Sequence, residues 1–235
     1  MTAKKHAGTP LFSDQMKLAD LIDINYRLLG VLSRVGIGFG FGDETVAEAC
    51  AHNNVNVNTF LLICNVYTFD GYRPGPDRLQ ETDLRDVVKY LHSSHAYYMG
   101  VAVRNLADAI SRAIAPCDEP RKRVIWSFFA QYKEELSRHF DYEENTVFPY
   151  VESVLVHKAC PDFSILQYEE NHSNIEEKLD DLKNIVMKYL PQECDNNDIL
   201  TVLVHLYALG EDLAKHTFIE DEILVPVVNQ LEHHE

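Results

Sequence analysis

What this sequence has little of narrows its fold and its partners. Glycine and proline are sparse, 10 and 9 in 235 residues, and the prolines fall between long stretches rather than inside them. With strand-like alternation hard to find, that scarcity of turn punctuation excludes an all-β chain. No apolar run approaches the roughly 18 residues a membrane-crossing helix needs. Cysteine is limited to Cys50, Cys64, Cys117, Cys160 and Cys194, an odd number, widely spaced and without a CxxC. That pattern excludes a disulfide framework or a zinc knuckle, and leaves reduced, buried thiols as the expectation. Positive charge is also short: the net charge of -16 argues against nucleic acid or an anionic membrane as the main partner. An acid surplus does tolerate bound cations. The opening MTAKKHAGTP is basic but is followed by no apolar run or small-residue cleavage site, so a cytoplasmic location is expected.

What is present is helical periodicity. Almost every long stretch spaces its apolar residues by three and four, which predicts an all-α protein. The densest punctuation is FDGYRPGPDRLQETD, from Phe69 to Asp83, read as a linker. It divides the chain into a small helical domain, 1–75, and a larger one, 76–235. Beyond the linker four helical segments are predicted, over about 83–115, 119–148, 161–189 and 197–230, with breaks at APCDEP, FPY and LPQECDNND. Short breaks between long amphipathic helices make consecutive helices antiparallel neighbours, hence an up-down-up-down four-helix bundle. The closing LEHHE is expected to fray.

The chemistry lies where polar residues interrupt these apolar stripes. The second helix buries Ile125, Phe129, Tyr132 and Leu136, then His139 and Glu143, then Val147. The fourth buries Leu206, Leu209 and Leu213, then His216 and Glu220, then Ile223 and Val227. The third carries His172 on its stripe, and the first carries His92 and His95. Residues four apart share a helix face, so each His-x3-Glu pair can reach one centre. His139 and His216 stand 77 residues apart, and His92 and His172 stand 80 apart, an arrangement of two similar halves.

A buried carboxylate costs several kcal/mol unless it is paired or bound to a cation, and two would also repel each other. One histidine on an apolar face is more often a hydrogen-bonded core residue than a ligand. One histidine on each of four helices, with two carboxylates in register, reverses that balance. Mixed imidazole and carboxylate ligation inside a bundle suits a pair of iron ions, with manganese the alternative.

The segments KYLHSSH, KEELSRHFDYEENTVFP, EENHSNIEEKL and DLAKHTFIEDEILVP resemble the four ligand segments of hemerythrin-like di-iron domains. The stretch LADLIDINYRLLGVLSRVGIGFGFGDETVAEACAHNNVNVNTFL resembles the small helical domain that precedes such a bundle in the iron-sulfur cluster repair family. That resemblance implies two irons, oxo- or hydroxo-bridged, with His92, His139, His172 and His216 as terminal ligands and Glu143 and Glu220 as bridges. His95 is the rival to His92, Glu135 a candidate acceptor behind the ligands, and Asp141 and Glu144 are read as solvated.

Oxygen-carrying hemerythrins place a fifth histidine where this sequence has Glu176, and use a His-x4-Asp motif that Asp221 would supply here. The missing imidazole favours reactive or iron-releasing chemistry over oxygen carriage. In the repair family the small domain carries adjacent cysteines where this chain reads GFGFGD, with Gly40 and Phe41 in their place, so thiol chemistry is not expected there. The resemblance thus implies a protein of nitrosative and oxidative stress defence that acts on damaged iron-sulfur proteins or on small diatomic gases (O2, NO). The small domain is a candidate for homodimer formation, because a thin core gains from burial against a partner.

Overall fold

The computed structural model describes residues 11–156, 163–170 and 175–233, with side chains described outside 169–177. The chain divides into two compact units, one ending at Tyr90 and one beginning at Leu91, the division falling inside helix α6 (Leu84–Tyr97). Among the described residues there is no strand, only an isolated antiparallel bridge between Lys17 and Thr45. No described helix is long and apolar enough to cross a membrane.

The first unit is built from short capped helices: α1 (Leu18–Ile24), α2 (Leu28–Val35), α3 (Val46–His52), α4 (Val57–Thr68) and α5 (Pro76–Gln80). Helix α3 starts on a capping box, in which the Thr45 side chain accepts from the Glu48 N–H while the Glu48 carboxylate accepts from the Thr45 N–H. Asn56 caps α4 through the Thr59 N–H. Helix α2 ends at Gly36, whose φ of 90° is a left-handed conformation that glycine adopts without a Cβ penalty. Leu21, Val31, Leu32, Val46, Phe60 and Ile63 form the core. Arg34 is buried in it, donating to the hydroxyls of Tyr67 (3.1 Å) and Tyr90 (3.2 Å). The stretch expected to be a linker carries the single turn of α5, opened by Pro76.

The second unit is a four-helix bundle. After α6 come a π-helical turn π1 (Tyr98–Ala102) and α7 (Val103–Ala113). The next line is α8 (Glu119–Tyr142), π2 (Glu143–Val147) and α9 (Phe148–Leu155). Helices α10 (Ile165–Glu170) and α11 (Ile175–Tyr189) follow, then α12 (Asn196–Ile219), π3 (Glu220–Leu224) and α13 (Val225–His233). Helix α12 packs on α7 and α11, α11 packs on α8, and α9 and α10 pack on α13.

The two longest helices begin alike, with Asp118 and Asp195 accepting backbone N–H bonds at their N-termini. The predicted apolar stripes are the core: Ile125, Phe129, Tyr132 and Leu136 of α8 meet Leu179, Leu182 and Val186 of α11 and Leu206, Leu209 and Leu213 of α12. Helices α11 and α12 approach closely at Gly210, where a Cβ would lie 3.1 Å from Leu179 Cδ2.

Two boundaries differ from the sequence expectation, for one physical reason each. The second helix does not stop at FPY. A π-helical turn, in which the Phe148 N–H donates to the Glu143 carbonyl five residues back, lets the line continue with Pro149 in the first turn of α9, where no N–H is required. The closing residues do not fray before His233, because Glu232 Oε1 accepts from the Tyr150 hydroxyl (2.5 Å) and the Ile165 N–H (2.9 Å).

Candidate metal centre

Three helix lines widen into a π turn next to a candidate ligand. Glu143 opens π2, Glu220 opens π3, and π1 begins three residues after His95. In each, an N–H bonds five residues back: Val103 to Tyr98, Phe148 to Glu143 and Val225 to Glu220. A π turn inserts one residue into the α ladder and re-aims the side chains around it, and such turns concentrate at functional sites. Here it begins at each of the two carboxylates, and both are fully buried.

His95, Glu143, His216 and Glu220 converge, with one donor atom from each lying within 4.8 Å of the others. His95 Nε2 faces His216 Nε2 at 3.1 Å and Glu143 Oε2 at 3.1 Å. His216 Nε2 lies 3.1 Å from Glu220 Oε1. On the other side of Glu143, Oε1 lies 2.9 Å from His139 Nε2 and accepts the Tyr168 hydroxyl at 2.6 Å. The two oxygens of Glu143 thus face imidazoles from two different helix lines.

The donor set fits a transition metal on its own chemistry. Ligands about 2.1 Å from one ion at right angles to each other stand about 3 Å apart, the spacing repeated here. Without a cation the arrangement is unfavourable. His95 Nδ1 lies 2.7 Å from Glu144 Oε1. That contact orients the ring and points Nε2 at a carboxylate oxygen and a second imidazole. His216 Nδ1 is buried and has no hydrogen-bond partner among the described residues.

The walls are aromatic. The ring of His95 stacks on Phe140 at 4.1 Å and on Phe148 at 5.5 Å, and Tyr98 meets His216 edge-on at 5.6 Å. Burial, reinforced by the nearby Glu220 and Glu143 carboxylates, pushes the Tyr168 phenol well above its ordinary range, so it stays a hydrogen-bond donor.

Of the residues singled out from the sequence, the structure brings together Glu143, His216 and Glu220, with His139 beside Glu143. His172 lies outside the described residues, and the side chain of Glu176 is not among those described. His92 is not in the cluster: its side chain is 66% exposed and its Nδ1 bonds Glu144 Oε2 at 2.8 Å. It follows Leu91, and one residue is about 100° of helix rotation. That step carries it off the line that Leu91, His95 and Tyr98 bury. His95, not His92, takes the inward position and joins the cluster.

Glu144 is not simply solvated, since it accepts from both first-helix histidines and orients His95. Glu135 is engaged elsewhere, with Lys178 at 3.1 Å. Tyr168 was missed by the sequence reading, although it stands four residues before His172 and so shares its face.

Residues 86–228 match the family model for the hemerythrin HHE cation binding domain. The chain belongs to the hemerythrin family. No curated protein matches it. Cation binding is accordingly the property of this hemerythrin domain, and the buried His/Glu cluster is where the structure provides for it.

Proposed function

We propose that this hemerythrin-like protein holds two iron ions, with manganese the alternative metal, and serves the repair of iron-sulfur clusters damaged by nitrosative or oxidative stress. His95, His139, Glu143, His172, His216 and Glu220 would hold the pair, Glu143 and Glu220 as bridges. The observation that carries the reading is Glu143, whose two oxygens face His95 and His139 from separate helices and which is itself fully buried. Two irons so held would supply one-electron exchange and binding of small diatomic molecules.

The chain's own residues define what reaches them. Phe140, Phe148 and Tyr98 wall the site with rings, which favours a small neutral molecule such as nitric oxide or dioxygen over a hydrated ion. Glu144 and Tyr168 hold His95 and Glu143 in their orientations, so these two donors would be positioned to take up a cation.

The first unit supports a binding role and not a redox one. Cys50 and Cys64 are buried, burial pushes the Cys50 thiol up to about 12, and burial raises the Cys64 thiol well above its ordinary range. Protonated, enclosed thiols are poor nucleophiles. That favours, as a second reading, a gas or iron sensor in which this unit docks to a partner or to a second copy.

The test is metal analysis and the visible spectrum of protein purified in air, followed by recovery of a damaged iron-sulfur enzyme. Two irons per chain with oxo-bridge absorption, and recovery lost in the His139→Ala/His216→Ala variant, are expected. Unchanged iron content and recovery in that variant would end the proposal. Partner binding that switches with oxidation state, without cluster recovery, would select the sensor.

A further inference from the structure

At the far end of the bundle the structure holds a second pair of reactive side chains. Cys117 and Cys194 are distant in sequence, yet their sulfurs stand 3.5 Å apart and both residues are buried. The two sites of the pair are built alike. Each cysteine closes a turn in which its N–H donates to the carbonyl three residues back, Ile114 for Cys117 and Pro191 for Cys194. Each is followed at once by the aspartate that caps a 24-residue helix, Asp118 for α8 and Asp195 for α12. The 77 residues that separate Cys117 from Cys194 are also the separation of His139 from His216 and of Glu143 from Glu220. The relation that pairs the metal ligands therefore pairs these thiols, one helix length away, about 35 Å along α8 and α12.

We propose that Cys117 and Cys194 are a reversible disulfide site, oxidised by exchange with small-molecule disulfides. The sequence alone suggested isolated reduced thiols, because nothing in the spacing shows that two loops on opposite halves of the bundle meet. Joining sulfurs at 3.5 Å requires about 1.5 Å of combined movement to reach the bonded length. Both cysteines sit in turns, where side-chain rotation can supply it. The only group of three or more metal-ligating side chains found among the described residues is the His/Glu cluster at the other end, so no third donor marks this pair as a metal site.

The exchange balances without a further reagent. One protein thiol, having released its proton, attacks a sulfur of the small disulfide, which departs as one small thiolate and leaves a mixed disulfide. The second protein thiol loses its proton and attacks the protein-side sulfur, forming the Cys117–Cys194 bond and expelling the second small thiolate. Two protons and two electrons leave the protein, and one small disulfide becomes two small thiols. Burial, and then contact with Cys117, push the Cys194 thiol up to about 11, so the reaction is slow at neutral pH and must be followed to equilibrium. The bond would tie the turn between α7 and α8 to the turn between α11 and α12.

The full-length, iron-loaded protein is equilibrated with oxidised glutathione, then alkylated and mapped by mass spectrometry. The expected result is an intrachain Cys117–Cys194 peptide, reversed by dithiothreitol, with no glutathione retained on either residue. Cys194→Ser should instead retain glutathione on Cys117. The apparent Tm of the oxidised protein should exceed that of the reduced protein by about 10 °C, with no such rise in Cys117→Ser. The proposal is overturned if both residues remain alkylatable, if glutathione stays attached to the unsubstituted protein, or if either sulfur pairs with Cys160 or with another chain. Iron content has no bearing on the outcome, so failure here and failure of the di-iron reading are separate results.

Discussion

The phenol of Tyr168 donates a 2.6 Å hydrogen bond to Oε1 of Glu143, the same oxygen that lies 2.9 Å from His139 Nε2. Two contacts fix one oxygen of a carboxylate whose other oxygen lies at 3.1 Å from His95. Under the proposed two-ion reading such a carboxylate would need its plane held, and a buried phenol kept protonated by its surroundings does this without adding charge.

Tyr168→Phe removes that single donor and leaves the ring. Groups behind metal ligands contribute about 10–100-fold to affinity. Iron binding should therefore weaken by about 10-fold in competition with a chromophoric chelator, while the far-ultraviolet circular dichroism is unchanged. Equal affinities would show that Glu143 is positioned by its backbone alone.

The first-helix histidines separate by a second comparison. His95→Ala removes an imidazole from the cluster and should weaken iron binding by more than about 100-fold, beyond the range of outer groups. Glu144→Gln, which weakens the contact orienting His95 Nδ1, should fall inside that range. His92→Ala should change affinity by less than about 3-fold, because its side chain is exposed and meets the site only through Glu144. Iron per chain after passage over a chelating resin reads all three, and an intact His95→Ala centre would return the ligand role to His92.

The same two histidines show how much of the molecule was legible in the sequence. Stripes of period 3.6 identified the core faces of α8, α11 and α12 and placed His139, Glu143, His216 and Glu220 on them, because an uninterrupted α-helix keeps a constant phase. His92 and His95 are three residues apart on a stripe that soon enters π1, and local spacing could not say which of them points inward. The π turns themselves left no apolar signature, since they shift phase by one residue at the point where the polar ligands already interrupt the pattern. Prolines 149 and 226 were the available signal: each stands in the first turn after a widened segment, where a helix continues without the proline N–H. The Cys117–Cys194 contact depends on the meeting of two turns, which no local pattern encodes.

Metal removal should lower stability by linkage. A cation bound by the folded bundle alone stabilises it by about 4 kcal/mol when free metal is a thousandfold above the dissociation constant. For a unit of this size that corresponds to about 10 °C in Tm. Chelation under reducing conditions should produce this drop in a calorimetric melt, and readdition of ferrous iron should restore it. Coincident melts with and without metal would mean that the cluster is a satisfied polar core and not a cation site.

Glu220→Gln should move the two forms in opposite directions. In the metal-free bundle Glu220 is a fully buried side chain 3.1 Å from His216, and a carboxylate so enclosed carries a desolvation cost that a single polar neighbour does not fully offset. The neutral amide removes that cost and can still donate to His216 Nε2. Metal-free Glu220→Gln should melt no lower than the parent and up to about 3 °C higher, on the order of 1 kcal/mol. With iron the sign reverses, because an amide is a far weaker cation ligand than a carboxylate, and the variant should lose most of the metal-induced rise in Tm. Paired melts of both proteins with and without iron decide the matter: a metal-free variant that melts several degrees lower would show that Glu220 stabilises the bundle as a structural ion pair.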